Sequence, residues 1–188
     1  LYVGKRVVSA READRGGPFA AKGGLCAAES TDDGRTWTVI GHLPAAAGHD
    51  GSSYHEPYAV ETAGGRLVAL IRNHGKPWEG ETIQTESDDG GRTWSTPHSI
   101  GVWGLPAHLL CLRDGRLVLS YGYRRAPFGN QARISTDEGR TWSDPVVLSA
   151  DGMGGDLGYP SSVELDDGTI LSVWYEVRKE SPLAVLRQ

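Results

Sequence analysis

Cysteine is scarce in this 188-residue chain: there are two, Cys26 and Cys111. Two cysteines that far apart make no disulfide framework. Their neighbours, Leu25-Cys-Ala and Leu110-Cys-Leu, fit ordinary buried thiols. No apolar stretch has the length of a membrane span, no signal peptide is visible, and no segment holds a helical period between caps. Basic runs are missing too. With a formal charge of −5 and no basic stripe interleaved with aromatics, nucleic acid is excluded as an expected partner. The six histidines show no metal-ligand spacing, so neither metal nor cofactor is expected. An initiator Met is lacking as well.

What the chain does have is one phrase written three times. Ser30-Thr-Asp-Asp-Gly-Arg-Thr-Trp37, Ser87-Asp-Asp-Gly-Gly-Arg-Thr-Trp94 and Ser135-Thr-Asp-Glu-Gly-Arg-Thr-Trp142 all fit Ser-x-Asp-x-Gly-x-Thr-Trp. The tryptophans stand 57 and 48 positions apart, the length of about four short strands. Asp32, Asp89 and Asp137 are placed to accept backbone N–H bonds a few residues on, closing a tight turn. Gly34, Gly91 and Gly139 supply a positive φ. Each tryptophan is expected to start the next strand and bury its ring between neighbouring units. The phrase is turn chemistry; it lacks the alternating oxygen ligands and closing Glu of a calcium loop.

Between the phrases lie apolar, β-prone runs. Arg66–Arg72, Arg116–Tyr121 and Thr169–Trp174 each follow a turn pair, Gly64-Gly65, Asp114-Gly115 or Asp167-Gly168. Earlier strands are predicted at Tyr58–Thr62, His108–Arg113 and Ser161–Leu165, and third strands at Thr82–Glu86, Gln131–Ser135 and Leu183–Leu186. Four strands per unit, repeated radially, make the blade of a β-propeller. The fold class is therefore all-β, with roughly three to four blades: residues 1–50 a partial blade, 54–100 and 101–149 full blades, and 150–188 a partial one. A closed ring takes about four to eight blades, so the chain is expected to be the later portion of a longer protein.

Once the phrases are set aside, polar residues remain that blades do not require. His55-Glu56-Pro57 leads an inner strand, and Arg72, followed by Asn73-His74, ends the next one, at the same end of the hairpin. Tyr121-Gly-Tyr-Arg124-Arg125 stands at the equivalent end of the following unit. Asp156-Leu-Gly-Tyr159-Pro160 precedes a third inner strand, whose partner ends in Trp174-Tyr175-Glu176. Singly, each has a bland reading, such as a rim ion pair of little worth or a packing tyrosine. Together they place polar groups at one register in three successive units.

These residues resemble the sialidase (neuraminidase) superfamily, and more closely bacterial sialidase-like proteins with Asp-box repeats. The likeness rests on the three Asp-boxes, Glu56…Arg72, the Arg124/Arg125 loop and Gly158-Tyr159-Pro-Ser-Ser…Tyr175-Glu176, from about Ser30 onward. The resemblance implies a six-bladed propeller with an active site at its centre, opposite the Asp-box face. There an arginine triad holds the substrate carboxylate, and a tyrosine assisted by a glutamate attacks the anomeric carbon. Sialidases are the tyrosine exception among glycosidases. Carried over, Tyr159 matches the nucleophile, Glu56 its base, and Arg72 the second arginine. Arg124 is the choice for the third, with Arg125 close behind and Arg133 a further alternative. Glu176 matches the carboxylate that steadies the first arginine.

The first arginine and the acid aspartate of the family stand before Glu56 by more than this chain allows. Asp14, in the Arg11-Glu-Ala-Asp-Arg-Gly loop, occupies a similar place one blade too late. The expected partner is a sialylated or other acidic glycan, and the expected location secreted or periplasmic. Two alternatives stand beside the sialidase reading. His55, His74 and His108, near the proposed mouth, suit a hydrolase or lyase of another acidic polysaccharide. The other is a glycan-binding propeller without turnover.

Overall fold

The computed structural model describes residues 1–5, 24–49, 51–181 and 183–188, and among these there is no helix. The described residues form fourteen strands in four sheets. The first holds β1 (Tyr2–Lys5), β2 (Leu25–Glu29) and β3 (Thr38–His42). The second holds β4 (Tyr54–Glu61), β5 (Leu67–Asn73), β6 (Glu81–Ser87) and β7 (His98–Trp103). The third holds β8 (Ala107–Cys111), β9 (Leu117–Tyr123), β10 (Gly129–Ser135) and β11 (Val146–Ser149). The fourth holds β12 (Leu157–Glu164), β13 (Ile170–Val177) and β14 (Ala184–Arg187). Every sheet is an antiparallel meander whose spatial order is its chain order. Sheets arranged in this way are the blades of a β-propeller.

Local sequence explains the meander. The β4–β5 hairpin closes with Thr62 N–H on the Arg66 carbonyl (2.8 Å) and Gly65 N–H on the Thr62 carbonyl (2.9 Å). Leu112, Gly115 and Arg116 repeat that pair of bonds in the third sheet, and Leu165, Gly168 and Thr169 in the fourth. Gly65 needs its missing Cβ, because its φ is +82°. The Asp-box turns join β2 to β3, β6 to β7 and β10 to β11. Their wiring is the same each time: Asp89 accepts from Thr93 N–H (2.9 Å), the Thr93 hydroxyl (2.6 Å) and the Ser87 hydroxyl (2.8 Å). Asp32 and Asp137 do likewise with their own Thr and Ser. Because the box precedes β3, strand β1 stands in the first sheet where β5 and β9 stand in theirs.

The core lies between sheets rather than within one. Strand side chains alternate faces, and β5 uses both: Leu67, Ala69 and Ile71 pack toward the first sheet with Val3, Leu25 and Trp94. Val68 and Leu70 pack toward the third with Leu109, Leu119 and Tyr121. Polar pins add direction at these joints. Gln84 donates to the Gly139 carbonyl and accepts from Trp142 Nε1, while Gly64 N–H bonds Glu138. The tryptophans divide by position. Trp94 is buried and Trp142 half-buried, as the sequence predicts, but Trp37 is 52 % exposed, donates its indole N–H to its own Gly34 carbonyl and meets the Tyr2 ring edge-on. Cys26 is buried and Cys111 half-buried, and the two do not form a disulfide.

Candidate active site

Two inner strands break register at the same place. Between His55 and Tyr58 strand β4 advances three residues while its partner advances two, from Arg72 to Leu70. Strand β12 does the same between Gly158 and Ser161, against Tyr175 and Val173. Each is a bulge, a device that re-aims a side chain. A proline, which has no N–H to give the ladder, follows the re-aimed residue in both, Pro57 and Pro160. The re-aimed residues are Glu56 and Tyr159, with φ of +43° and +51°. Such values are uncommon outside glycine.

The bulges lie away from the Asp-boxes. Leu67, at the start of β5, pairs with Ser87 of the box, whereas Arg72, at its other end, pairs with His55 and Thr82. There three expected residues meet. Tyr159 donates its phenolic proton to Glu56 Oε1 at 2.8 Å. Arg72 Nη1 donates to Glu56 Oε2 at 2.8 Å and to the Tyr159 oxygen at 3.2 Å. Arg72 Nε donates to His74 Nε2 at 2.7 Å. Arg72 is therefore fixed on two edges before any substrate arrives.

Electrostatics follow from these bonds. Burial pushes Glu56 upward, but the hydrogen bonds from Arg72 and Tyr159, with the Arg72 charge, hold its carboxyl below the usual range. Burial also opposes the Arg72 charge, yet Glu56 raises it further. Burial, with Arg72 beside it, lowers His74, which keeps its Nε2 an acceptor at neutral pH. On the far side of Tyr159, Tyr175 stacks at 5.9 Å between ring centroids and donates to Asp156 at 2.6 Å. That hydrogen bond raises the Tyr175 phenol.

Other expected residues lie elsewhere. Arg124 donates from Nε and Nη2 to the Leu157 carbonyl, at 3.1 and 2.9 Å, and shares a cleft of about 520 Å³ with Arg72, His74 and Arg125. Arg125 lies over Trp103, its Cζ 3.6 Å from the ring centroid. Arg133 is not brought to this group, since it bonds the Tyr121 hydroxyl and the Ser143 carbonyl. Nor is Glu176, which points to the opposite side of β13 from Tyr175. It is fully buried, accepting from Ser149, Trp174 and Asn130 and paired with Arg187. Asp14 and its loop lie outside the described residues.

A second cleft, of about 350 Å³, runs along the inner strands past Glu56, Tyr159, Tyr58 and His108. His108 is 8 % exposed, tilts against Tyr58 at 4.4 Å, and leaves Nδ1 without a partner. Burial lowers its pKa, so it is neutral at pH 7. Among the described residues no cluster of three or more His, Cys, Asp or Glu could hold a metal ion. Sequence reading missed the His74 bond to Arg72 and the stacks on Tyr159 and Trp103. The bulges did leave a signal, the Glu56-Pro57 and Tyr159-Pro160 pairs just ahead of the predicted strands Tyr58–Thr62 and Ser161–Leu165, which the structure extends back through them.

Comparisons with known proteins agree with this architecture. Residues 16–171 match the family model described as BNR repeat-like domain. A crystal structure of a protein of unknown function from Dyadobacter fermentans is 33 % identical, with a TM-score of 0.76 over 88 % of this chain and 44 % of that one. The NanB sialidase of Streptococcus pneumoniae is 22 % identical, with a TM-score of 0.66 over 86 % of this chain and 25 % of that one. An ulvan lyase bound to a glucuronate–sulfated rhamnose ligand is 14 % identical, at 0.57 over 81 % and 40 %. The chain thus spans less than half the length of each of these structures. No curated protein matches at a significant level. The last two likenesses speak for the fold alone, a sialidase-like β-propeller. On its family match, which covers most of its length, the chain belongs to the BNR repeat-like domain family.

Proposed function

We propose that the protein containing this chain is a glycoside hydrolase that removes a terminal acidic sugar, sialic acid first among them, from a glycan. One observation carries the reading: the Tyr159 phenol donates to the Glu56 carboxylate at 2.8 Å while Arg72 touches both. The chemistry needs that pair. A phenol of pKa near 10 attacks at neutral pH only if a base takes its proton. A carboxylate held below its usual range does not hold that proton in the resting state. The transfer to Glu56 therefore accompanies attack of the Tyr159 oxygen on the anomeric carbon, as the bond to the leaving oxygen breaks. A neutral nucleophile also avoids a second anion beside the sugar's own carboxylate. Arg72 suits that carboxylate with a planar cation, and Arg124 shares its cleft. Water then opens the tyrosyl–sugar bond: its hydroxyl joins the anomeric carbon, Glu56 returns its proton to Tyr159, and the proton the water gives up replaces the one the departing oxygen took as its bond broke.

The test is hydrolysis of a fluorogenic sialoside by the intact protein beside Tyr159→Phe. Turnover in the first and its loss in the second supports the reading. Equal turnover in both overturns it.

A second reading has its own observation. His108, neutral and nine-tenths buried, lines the cleft that holds Tyr159, and an imidazole beside a phenol suits acid–base work on a uronic-acid polymer. A structural neighbour is an ulvan lyase. Activity on such polymers, with none on sialosides, would favour it.

A further inference from the structure

Arg72 links the two clefts: it lines one and donates to Glu56 and Tyr159, which line the other. One leads over Glu56 and Tyr159; the other, of about 520 Å³, opens on the far side of Arg72 between His74, Trp103, Arg124 and Arg125. Its volume is within the usual range for a small-molecule site, and the reaction at Tyr159 does not need most of its lining.

The lining is held in place and unbalanced in charge. Trp103 stands edge-on to Tyr123, with ring centroids 5.9 Å apart and planes at 84°. Its indole sits so close to the Gly80 backbone that a Cβ there would lie 2.5 Å from Nε1. Arg125 Cζ stands over the ring, 3.6 Å from its centroid, a cation–π contact, and the guanidinium carries a planar fork of donors that matches a carboxylate. Arg124 is anchored through Nε and Nη2 on the Leu157 carbonyl, which leaves Nη1. Neither arginine pairs with a carboxylate among the described residues. Three guanidinium groups line the cleft against one carboxylate, Glu79. The fold does not require this: Arg125 is exposed, and an exposed cation–π contact is worth only about 0.5–1 kcal/mol.

We infer that this second cleft is a subsite for the sugar unit next to the reacting one, and that it selects an acidic unit, whose carboxylate Arg125 takes through two parallel N–H bonds. The inference rests on the glycosidase reading of Tyr159 and Glu56 and adds a substrate class: glycans with two consecutive acidic sugars. With Arg72 and Arg124 turned to the carboxylate of the reacting sugar, a neutral second sugar would leave Arg125 without a counter-charge.

Calorimetry on the intact protein carrying Tyr159→Phe, which removes the attacking oxygen, tests this. The probes are methyl α-sialoside, α2,3-sialyllactose with its neutral second sugar, and α2,8-linked disialic acid with an acidic one. Disialic acid should bind about tenfold tighter than sialyllactose, the worth of one charge-assisted hydrogen bond, and the preference should shrink as salt is raised. Arg125→Ala should bring the two within about twofold. Trp103→Ala, which removes the platform but keeps the charge, should lose most of the preference too. Equal binding of the two oligosaccharides, or a preference that survives Arg125→Ala, overturns the subsite. If methyl α-sialoside binds without that preference, the hydrolase reading stands alone. If none of the three probes binds, both fall.

Discussion

Tyr159 and Glu56 lie 103 positions apart in the chain, yet the phenol of one donates to the carboxylate of the other at 2.8 Å. Each is the residue before a proline in a bulged inner strand, and each has a positive φ. The same backbone device, used in two blades, turns two side chains toward one point. The roles proposed for this pair, base and nucleophile, place a strong demand on geometry, because hydrogen-bond reach spans only a few tenths of an ångström.

Glu56→Gln keeps the size and the contact with Arg72 but cannot take a proton. Turnover in the intact protein should fall about 10²–10⁴-fold, with substrate affinity changed far less. Steady-state kinetics on the substrate that Tyr159→Phe fails to turn over would check this. A variant within twofold of the parent would remove Glu56 from the base role.

His74 should set an acid limb on activity. Its folded pKa lies below 6.5, lowered by burial and by Arg72 and Arg124, with Glu56 and Glu79 pulling the other way and the His55 ring against it. Above that pKa its Nε2 accepts from Arg72; below it the imidazolium can only donate and repels the guanidinium. Activity should therefore decline as pH falls through that lowered pKa, and because the unfolded chain takes up the proton first, stability should decline as pH falls below the ordinary value of 6.5. His74→Gln offers an amide oxygen that does not titrate. Its pH–rate profile should lack the limb, and an unchanged limb would assign it to another group.

Tyr159 should be a strained position. A side chain at φ +51° costs about 1–2 kcal/mol, which glycine does not pay. Tyr159→Gly should consequently be more stable than Tyr159→Ala by about 1 kcal/mol in urea unfolding, after allowing for glycine's greater freedom when unfolded. The opposite order would show that the bulge relaxes around the smaller residue.

The Asp-boxes should make the fold acid-sensitive. Asp89 and Asp137 fall from 3.8 to about 2, chiefly because their Thr hydroxyls and the neighbouring N–H groups bond the ionised form. A pKa depressed in the folded state means that the unfolded chain binds more protons between these values, so stability is lost as pH falls through the window. Thermal scans between pH 5 and pH 2 should show that decline. Asp89→Asn should unfold at a lower temperature at pH 7 and lose less on acidification.

Much of the fold was legible because its causes are local. A Gly-containing pair after an apolar run closes a hairpin whatever lies around it, so β5, β9 and β13 fell close to their predicted places, with edges shifted by one to three residues. The site was half legible. Glu56, Arg72 and Tyr159 stood out because polar residues recurred at one register, and a hairpin returns its ends to the same side. Glu176 shows where that logic stops. It shares the register of Tyr175 along β13, but neighbours on a strand face opposite ways. Its carboxylate lies among Ser149, Trp174 and Arg187 instead of beside Tyr159.

The amino-acid order by itself determined the repeat, the turns and the alternation that makes each sheet, since these depend on residues within a few positions of one another. It determined, too, that a carboxylate, an arginine and a tyrosine would stand at one end of successive blades. Only the tertiary structure decided which of these meet. Contact between blades depends on how far each bulge turns its residue and on which face of a strand looks inward. Arg72 and Tyr159 touch across 87 residues, while Arg124 spends two of its donors on a backbone carbonyl and Arg125 settles on Trp103. Those outcomes are set by packing at distances no local pattern encodes.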